Sequence, residues 1–198
     1  MKLRIDLEKE YGIVLEGGGA RGAYQIGVWK ALREAGMKIK GVAGTSVGAL
    51  NGALICMDDL GKAEEIWGNM TYSTVFNVDD SMIGKLKKFG VRSMKVTDAA
   101  RLLGAGAKEL IEKIAELEET EDEERIRRSP RDFCAASFSV TDRKEEDFDV
   151  KAAPLGTIKD IMMASAYFPG FKQEKLGGKT YLDGGSVNNV PVDLLTDR

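Results

Sequence analysis

The spacing of apolar positions changes its period several times along the chain. Residues 11–15 form a short apolar run that predicts a buried strand, closed by glycines. Beyond them Tyr24, Val28, Ala31, Leu32 and Ala35 recur at helical spacing. They predict a helix that turns this stripe to the core and stops at Gly36. Residues 38–43 read as a second strand, and residues 47–57 as a very apolar helix. Strand, helix, strand, helix, joined by glycine turns, predicts a parallel sheet with helices on its faces.

The centre breaks this rhythm. Between Ser81 and Thr97 stand five basic residues, Lys85, Lys87, Lys88, Arg92 and Lys95, and no acidic one. Thr97 or Asp98 is placed to cap a helix carrying Leu103, Ala107, Leu110, Ile114 and Leu117. Seven of the nine residues at 116–124 are acidic, which reads as a solvated helix end. The last third returns to strands. Residues 132–140 read as a buried strand with residues 148–152 as its partner, and Thr157 caps a short helix running to about Ser165. Residues 171–176 and 179–182 flank Gly177-Gly178, a two-residue hairpin signal, and Asp183-Gly184-Gly185 follows at once.

Composition narrows the class. A chain of 198 residues, 43% hydrophobic and 31% charged, is expected to form one domain over 1–198 with a sizeable core. A net charge of -3 gives no nucleic-acid footprint. The first dozen residues carry charges throughout and no apolar segment reaches spanning length, so a cytoplasmic address is expected by default. Cys56 and Cys134 sit in apolar settings without metal-site spacing and read as buried free thiols. Histidine is absent, which excludes Ser-His-Asp and Cys-His arrangements within this chain and the commonest imidazole route to zinc. No cofactor and no metal are expected.

Two glycine motifs carry the chemistry. Gly17, Gly19 and Gly22 fit the dinucleotide fingerprint G-x-G-x-x-G between a strand and a helix. That reading requires an acidic residue about 20 positions on, at the end of the second strand, for the ribose hydroxyls. The segment KIKGVAGTS offers none. Instead Gly44 to Gly48 reads GTSVG, a G-x-S-x-G nucleophile elbow that exposes Ser46 on a sharp strand-to-helix turn beside a positive helix end. The amides of Gly17, Gly18, Gly19 and Ala20 are then expected to face an oxyanion formed as Ser46 attacks a carbonyl. Among the acids Asp183 is the best base, since it ends a strand and precedes two glycines; a plain Asp-Gly turn is the alternative. Desolvation raises a carboxylate's basicity, and a direct hydrogen bond would let a two-member device suffice. Such a device suits esters better than amides.

The three motifs GGGARG at 17–22, GTSVG at 44–48 and DGG at 183–185, in this order, resemble the patatin-like phospholipase family. ASAYFPGF from Ala164 and VNNVP at 187–191 support the resemblance, which is dense over 11–57 and 132–195 and thin over 58–131. It implies a three-layer α/β/α sandwich with a mainly parallel sheet. It implies Ser46 as nucleophile, Asp183 as its dyad partner, and Gly17, Gly18 and Gly19 as an oxyanion loop beside Arg21. Gly44 and Gly48 belong to the elbow, and Gly184 and Gly185 to the dyad turn. The activity implied is hydrolysis of acyl esters, on phospholipids or simpler lipids, through an acyl-enzyme and without metal. Family domains continue past the DGG segment, so the C-terminal part of the domain is expected to be absent. The partner expected is a lipid or small acyl ester, with transient contact to a membrane surface. Residues 82–96 mix basic and apolar positions as an interfacial helix does, with an ordinary surface segment as the alternative. Two rivals stay open: a lipid- or acyl-binding module of the same fold without turnover, and a dinucleotide-binding protein.

Overall fold

The structure, a computed structural model, describes residues 6–69, 121–167 and 175–196. Within them the apolar runs pair as the glycine-turn rhythm requires. β1 (Glu10–Leu15) lies parallel to β2 (Lys38–Thr45), and β2 lies parallel to β3 (Asp132–Ser139). β4 (Lys144–Asp149) and β5 (Tyr181–Asp183) both pair with β3 in antiparallel fashion, completing a five-stranded sheet. β2 and β3 read as continuous apolar runs because both faces of the sheet are covered. On one face α2 (Val47–Met57) packs so closely that a Cβ on Gly52 would meet Val42 and Phe133. On the other, Leu195 of the short α6 (Asp193–Thr196) fills the space left by Gly12 and Gly41. Residues 41 and 42 point to opposite faces of their strand, so the sheet is a layer between helices. This is the α/β/α architecture expected from the sequence.

All eleven residues of α2 are buried, which explains a helix apolar on every side. The one polar side chain among them, Asn51, is satisfied from three directions. Its Nδ2 donates to the Gly22 carbonyl at 3.0 Å and to Gln25 Oε1 at 2.8 Å, and its Oδ1 accepts Trp67 Nε1 at 2.9 Å. Asn51 thereby ties α1 (Gly22–Glu34) and α3 (Leu60–Gly68) to the central helix.

Several elements differ from their sequence reading. In α1 the buried line is Gly22, Ile26 and Trp29, not the expected stripe, and Tyr24 is 78% exposed whereas Trp29 is 1% exposed. The largest side chain takes the core position, and Gly22 lets the helix start against Val47 and Trp67, whose atoms stand 2.6 to 2.7 Å from where a Cβ would be. Tyr24 and Val28 instead line a cavity of about 460 Å³ between α1 and β1.

Of the acidic run, only residues 121–124 are among the described residues. These four lie in the first turn of α4 (Glu121–Arg128), where negative charge suits a helix N-terminus, and Asp122 is buried against Lys62 at 2.9 Å and Arg125 at 3.4 Å rather than solvated. β4 begins at Lys144 rather than 148, because its pairing to β3 defines a polar edge strand that periodicity does not mark. α5 (Ile158–Ser165) starts after Thr157 as expected, yet the Thr157 hydroxyl donates to the Pro154 carbonyl and caps nothing. Gly177 and Gly178, at φ 56° and 84°, turn the chain between the bridged Leu176 and Lys179, which is the hairpin signal realised. The expected central helix, the 82–96 stretch and residues 171–174 of the hairpin lie outside the described residues. Among the described residues no helix is long and apolar enough to cross a membrane.

Candidate active site

The turn after β2 is tight. Ser46 has φ 56° and ψ -126°, the first central position of a type II′ turn, a conformation that glycine adopts freely and serine does not. The crowding that requires the flanking glycines is visible on both sides. A Cβ on Gly44 would run into the Gly48 carbonyl and, at 2.5 Å, the Ala49 nitrogen; a Cβ on Gly48 would run into the Leu15 carbonyl. The elbow is thus wedged between its own helix and the end of β1. The Ser46 N–H points inward and donates to Ser165 Oγ at 2.9 Å.

The loop after β1 lies beside this turn. The Cβ position of Gly17 is 3.2 Å from Ser46 Cβ and 2.5 Å from Asn189 Oδ1, so only glycine fits there. Gly18 and the left-handed Gly19, at φ 55°, lead through a short 3-10 turn (Gly19–Arg21) into α1. The expectation that all four amides from Gly17 to Ala20 face the reacting centre needs one correction. The Gly17 N–H donates to the Asn189 carbonyl at 3.2 Å and is already used. The Arg21 guanidinium folds back over Gly18, its Nε and Nη2 3.0 and 3.1 Å from that residue's Cβ position.

Asp183 arrives from the far end of the chain, and the register of β3 explains how. Ala136 pairs with Thr45, the last residue of β2, and the next residue, Ser137, pairs with Asp183, the last of β5. β5 takes over the same edge of β3 where β2 turns away. That hand-over brings the Ser46 hydroxyl beside the Asp183 carboxyl. Burial pushes the Asp183 pKa above the ordinary carboxylate value, opposed by that hydroxyl and by the Gly185 N–H, which donates to Oδ1 at 2.8 Å. Gly184 sits so tightly on β3 that a Cβ there would strike the Ala136 carbonyl, and Gly185 lies where a Cβ would come within 3.0 Å of both Asp183 Oδ1 and Asn189 Oδ1.

Side chains given no role from sequence join these pieces. Asn189 accepts and donates across to Gly17 through its carbonyl and its Nδ2, at 3.2 and 3.4 Å, and Thr45 Oγ1 donates to the Asn188 carbonyl at 2.7 Å. The VNNVP stretch thus straps the glycine loop to the acid's turn. Two polar residues just beyond a glycine motif were the available signal, but their target, 172 positions away, is set by the fold. Among the described residues no group of three or more Cys, Asp and Glu is arranged to hold a metal ion.

This arrangement of an elbow serine, a glycine loop and a strand-end aspartate coincides with a match between residues 13–196 and the family model described as patatin-like phospholipase. The chain belongs to the patatin-like phospholipase family. Its patatin-like relatives include neuropathy target esterase sws of Drosophila melanogaster, 30% identical over 191 residues, covering 93% of this chain and 12% of the relative. Patatin-like phospholipase domain-containing protein 6 of Homo sapiens is also 30% identical over 191 residues, covering 92% and 12%. Lysophospholipase nte1 of Aspergillus terreus is 46% identical over a shorter 76 residues, 36% of this chain and 5% of that protein. The chain therefore spans 12% or less of the length of these relatives. Among solved structures, VipD from Legionella pneumophila shares the fold with a TM-score of 0.58 at 17% identity, over 91% of this chain and 46% of that one.

Proposed function

We propose that this patatin-like chain is a serine acyl hydrolase that cleaves acyl esters of lipids through Ser46 and Asp183. Asp183 accepts the Ser46 proton as Oγ attacks the ester carbonyl. The tetrahedral oxyanion that forms is held by the main-chain amides of Gly18, Gly19 and Ala20, with Arg21 adding positive charge beside the loop. Collapse of the intermediate breaks the ester C–O bond. The proton on Asp183 passes to the leaving alkoxide, which departs as an alcohol and leaves the acyl group on Ser46. Water then repeats the sequence, with Asp183 taking its proton and returning it to Oγ, and a free carboxylic acid is released. An alkoxide leaving group needs less acid assistance than an amine, so a base without histidine is sufficient for esters. Membership in a family whose model is described as phospholipase supports lipids as the substrate class.

The single observation that supports this reading best is the register that brings the elbow serine after Thr45 and the strand-end Asp183 to adjacent positions on one edge of β3. The test is covalent labelling with a fluorophosphonate beside hydrolysis of a panel of short- and long-chain esters and phospholipids. Wild type should label and turn over; Ser46→Ala should do neither. Equal hydrolysis by Ser46→Ala sinks the assignment. A wild type that binds fatty acid but neither labels nor hydrolyses makes the chain an acyl-binding module instead.

A further inference from the structure

Where β2 leaves the edge of β3 and β5 joins it, the strand ladder is interrupted between Ala136 and Ser137. A side chain from α5 fills the interruption. Ser165, the last residue of that helix and fully buried, donates its hydroxyl to the Ala136 carbonyl at 2.7 Å and accepts the Ser46 N–H at 2.9 Å. Its one donor and one of its two acceptor lone pairs are spent on these two main-chain groups. The same short stretch also reaches the other members of the site. The Ala164 carbonyl accepts Ser137 Oγ at 2.9 Å, and the Tyr167 carbonyl accepts the Asp183 N–H at 2.8 Å.

We propose that Ser165 is a positioning residue for the nucleophile: anchored on β3, its hydroxyl holds the Ser46 main chain in the turn that aims Oγ at Asp183. The physical need is specific. The positive φ of Ser46 rotates its N–H away from the sheet ladder and into the interior, where an unpaired donor is costly. Without the acceptor, the turn relaxes toward ordinary dihedrals and carries Oγ off its line to the carboxyl. A hydroxyl serves because one atom must donate to one neighbour and accept from the other. This role rests on Ser46 acting as the nucleophile.

The test compares steady-state hydrolysis of a short-chain p-nitrophenyl ester by wild type, Ser46→Ala, Ser165→Ala, Ser165→Cys and Met162→Ala, with thermal melts of each. Displacing a reacting atom by about 1 Å costs on the order of 100-fold, so Ser165→Ala should lower kcat by roughly 10- to 100-fold while KM stays within about two-fold. Ser165→Cys keeps a weaker donor and acceptor of similar size, should fall between alanine and wild type, and covers the case in which alanine does not fold. Met162 is buried on the same helix but outside the site, so Met162→Ala should lower the melting temperature and leave kcat of the folded enzyme unchanged. A folded Ser165→Ala with wild-type kcat overturns the proposal, as does a Met162→Ala whose kcat falls equally. A wild type that turns over no ester overturns the nucleophile assignment and this role with it. A wild type dependent on Ser46 but indifferent to Ser165 overturns this role alone.

Discussion

Holding serine at φ 56° costs about 1–3 kcal/mol, and the surroundings of Ser46 supply the constraint, with Ser165 below, Gly48 wedged on β1 and Gly17 alongside. Two substitutions probe that constraint and its purpose. Gly48→Ala forces a methyl into the Leu15 carbonyl and should lower stability by about 3 kcal/mol or more, read by chemical denaturation or by loss of soluble protein. Asp183→Asn removes the proposed base and should reduce ester turnover by about 10²- to 10⁴-fold. It should not destabilise the chain. Because burial raises this carboxyl's pKa in the folded state, the native protein holds the proton more tightly than the unfolded one. The stability this group contributes is present below its unfolded pKa and is lost as pH rises through the folded value. At neutral pH the neutral amide avoids that loss, so the variant should melt at or above the wild-type temperature. In the wild type, kcat/KM should rise with pH along an acid limb lying above the ordinary aspartate value, about 3.9. The turn at Ser46 and the strand-end place of Asp183 were legible in the sequence because Gly44 and Gly48 flank the one, Gly184-Gly185 follow the other, and these glycines state a backbone requirement. Asn189 and Ser165 were not, since a lone amide or hydroxyl gains its meaning only from the carbonyls that folding brings to it.

Among elements, α2 supports the rest. Leu54, fully buried on it, should cost about 2–5 kcal/mol when cut to alanine. Asn51→Ala leaves the Trp67 N–H and the Gly22 carbonyl without their partner and should cost about 1–3 kcal/mol for each group left unpaired, measurable by urea unfolding. Helix and strand identities followed from period and glycine punctuation. What failed was rotation and charge. α1 carries apolar residues on more than one face, and bulk decided which face turned inward: Trp29 displaced the smaller stripe. The acidic run looked solvated because composition does not reveal that Lys62 and Arg125 lie opposite Asp122. The polar β4 has no alternation to read, and only its ladder with β3 makes it a strand.

At the scale of the molecule, the parallel β1–β2–β3 frame was legible as a βαβ rhythm, whereas the antiparallel return of β5 was not. A strand was expected over 179–182 and is present as Tyr181–Asp183, but hydropathy does not show that its partner is β3. The fold also silences its thiols. Cys56 is buried and its pKa is pushed up to about 12, and Cys134 is buried as well. Neither should react with a disulfide reagent such as DTNB in the native protein, and two equivalents should be released in denaturant. Rapid native reaction would show that the core opens locally. The hand-over from β2 to β5 along one edge has a bearing on synthesis. Asp183 leaves the ribosome 137 positions after Ser46. With these two as the reacting pair, a product truncated before Asp183 lacks the carboxyl beside its serine, and one truncated before Ser165 also lacks the hydroxyl that holds the elbow, so both should be inert toward esters.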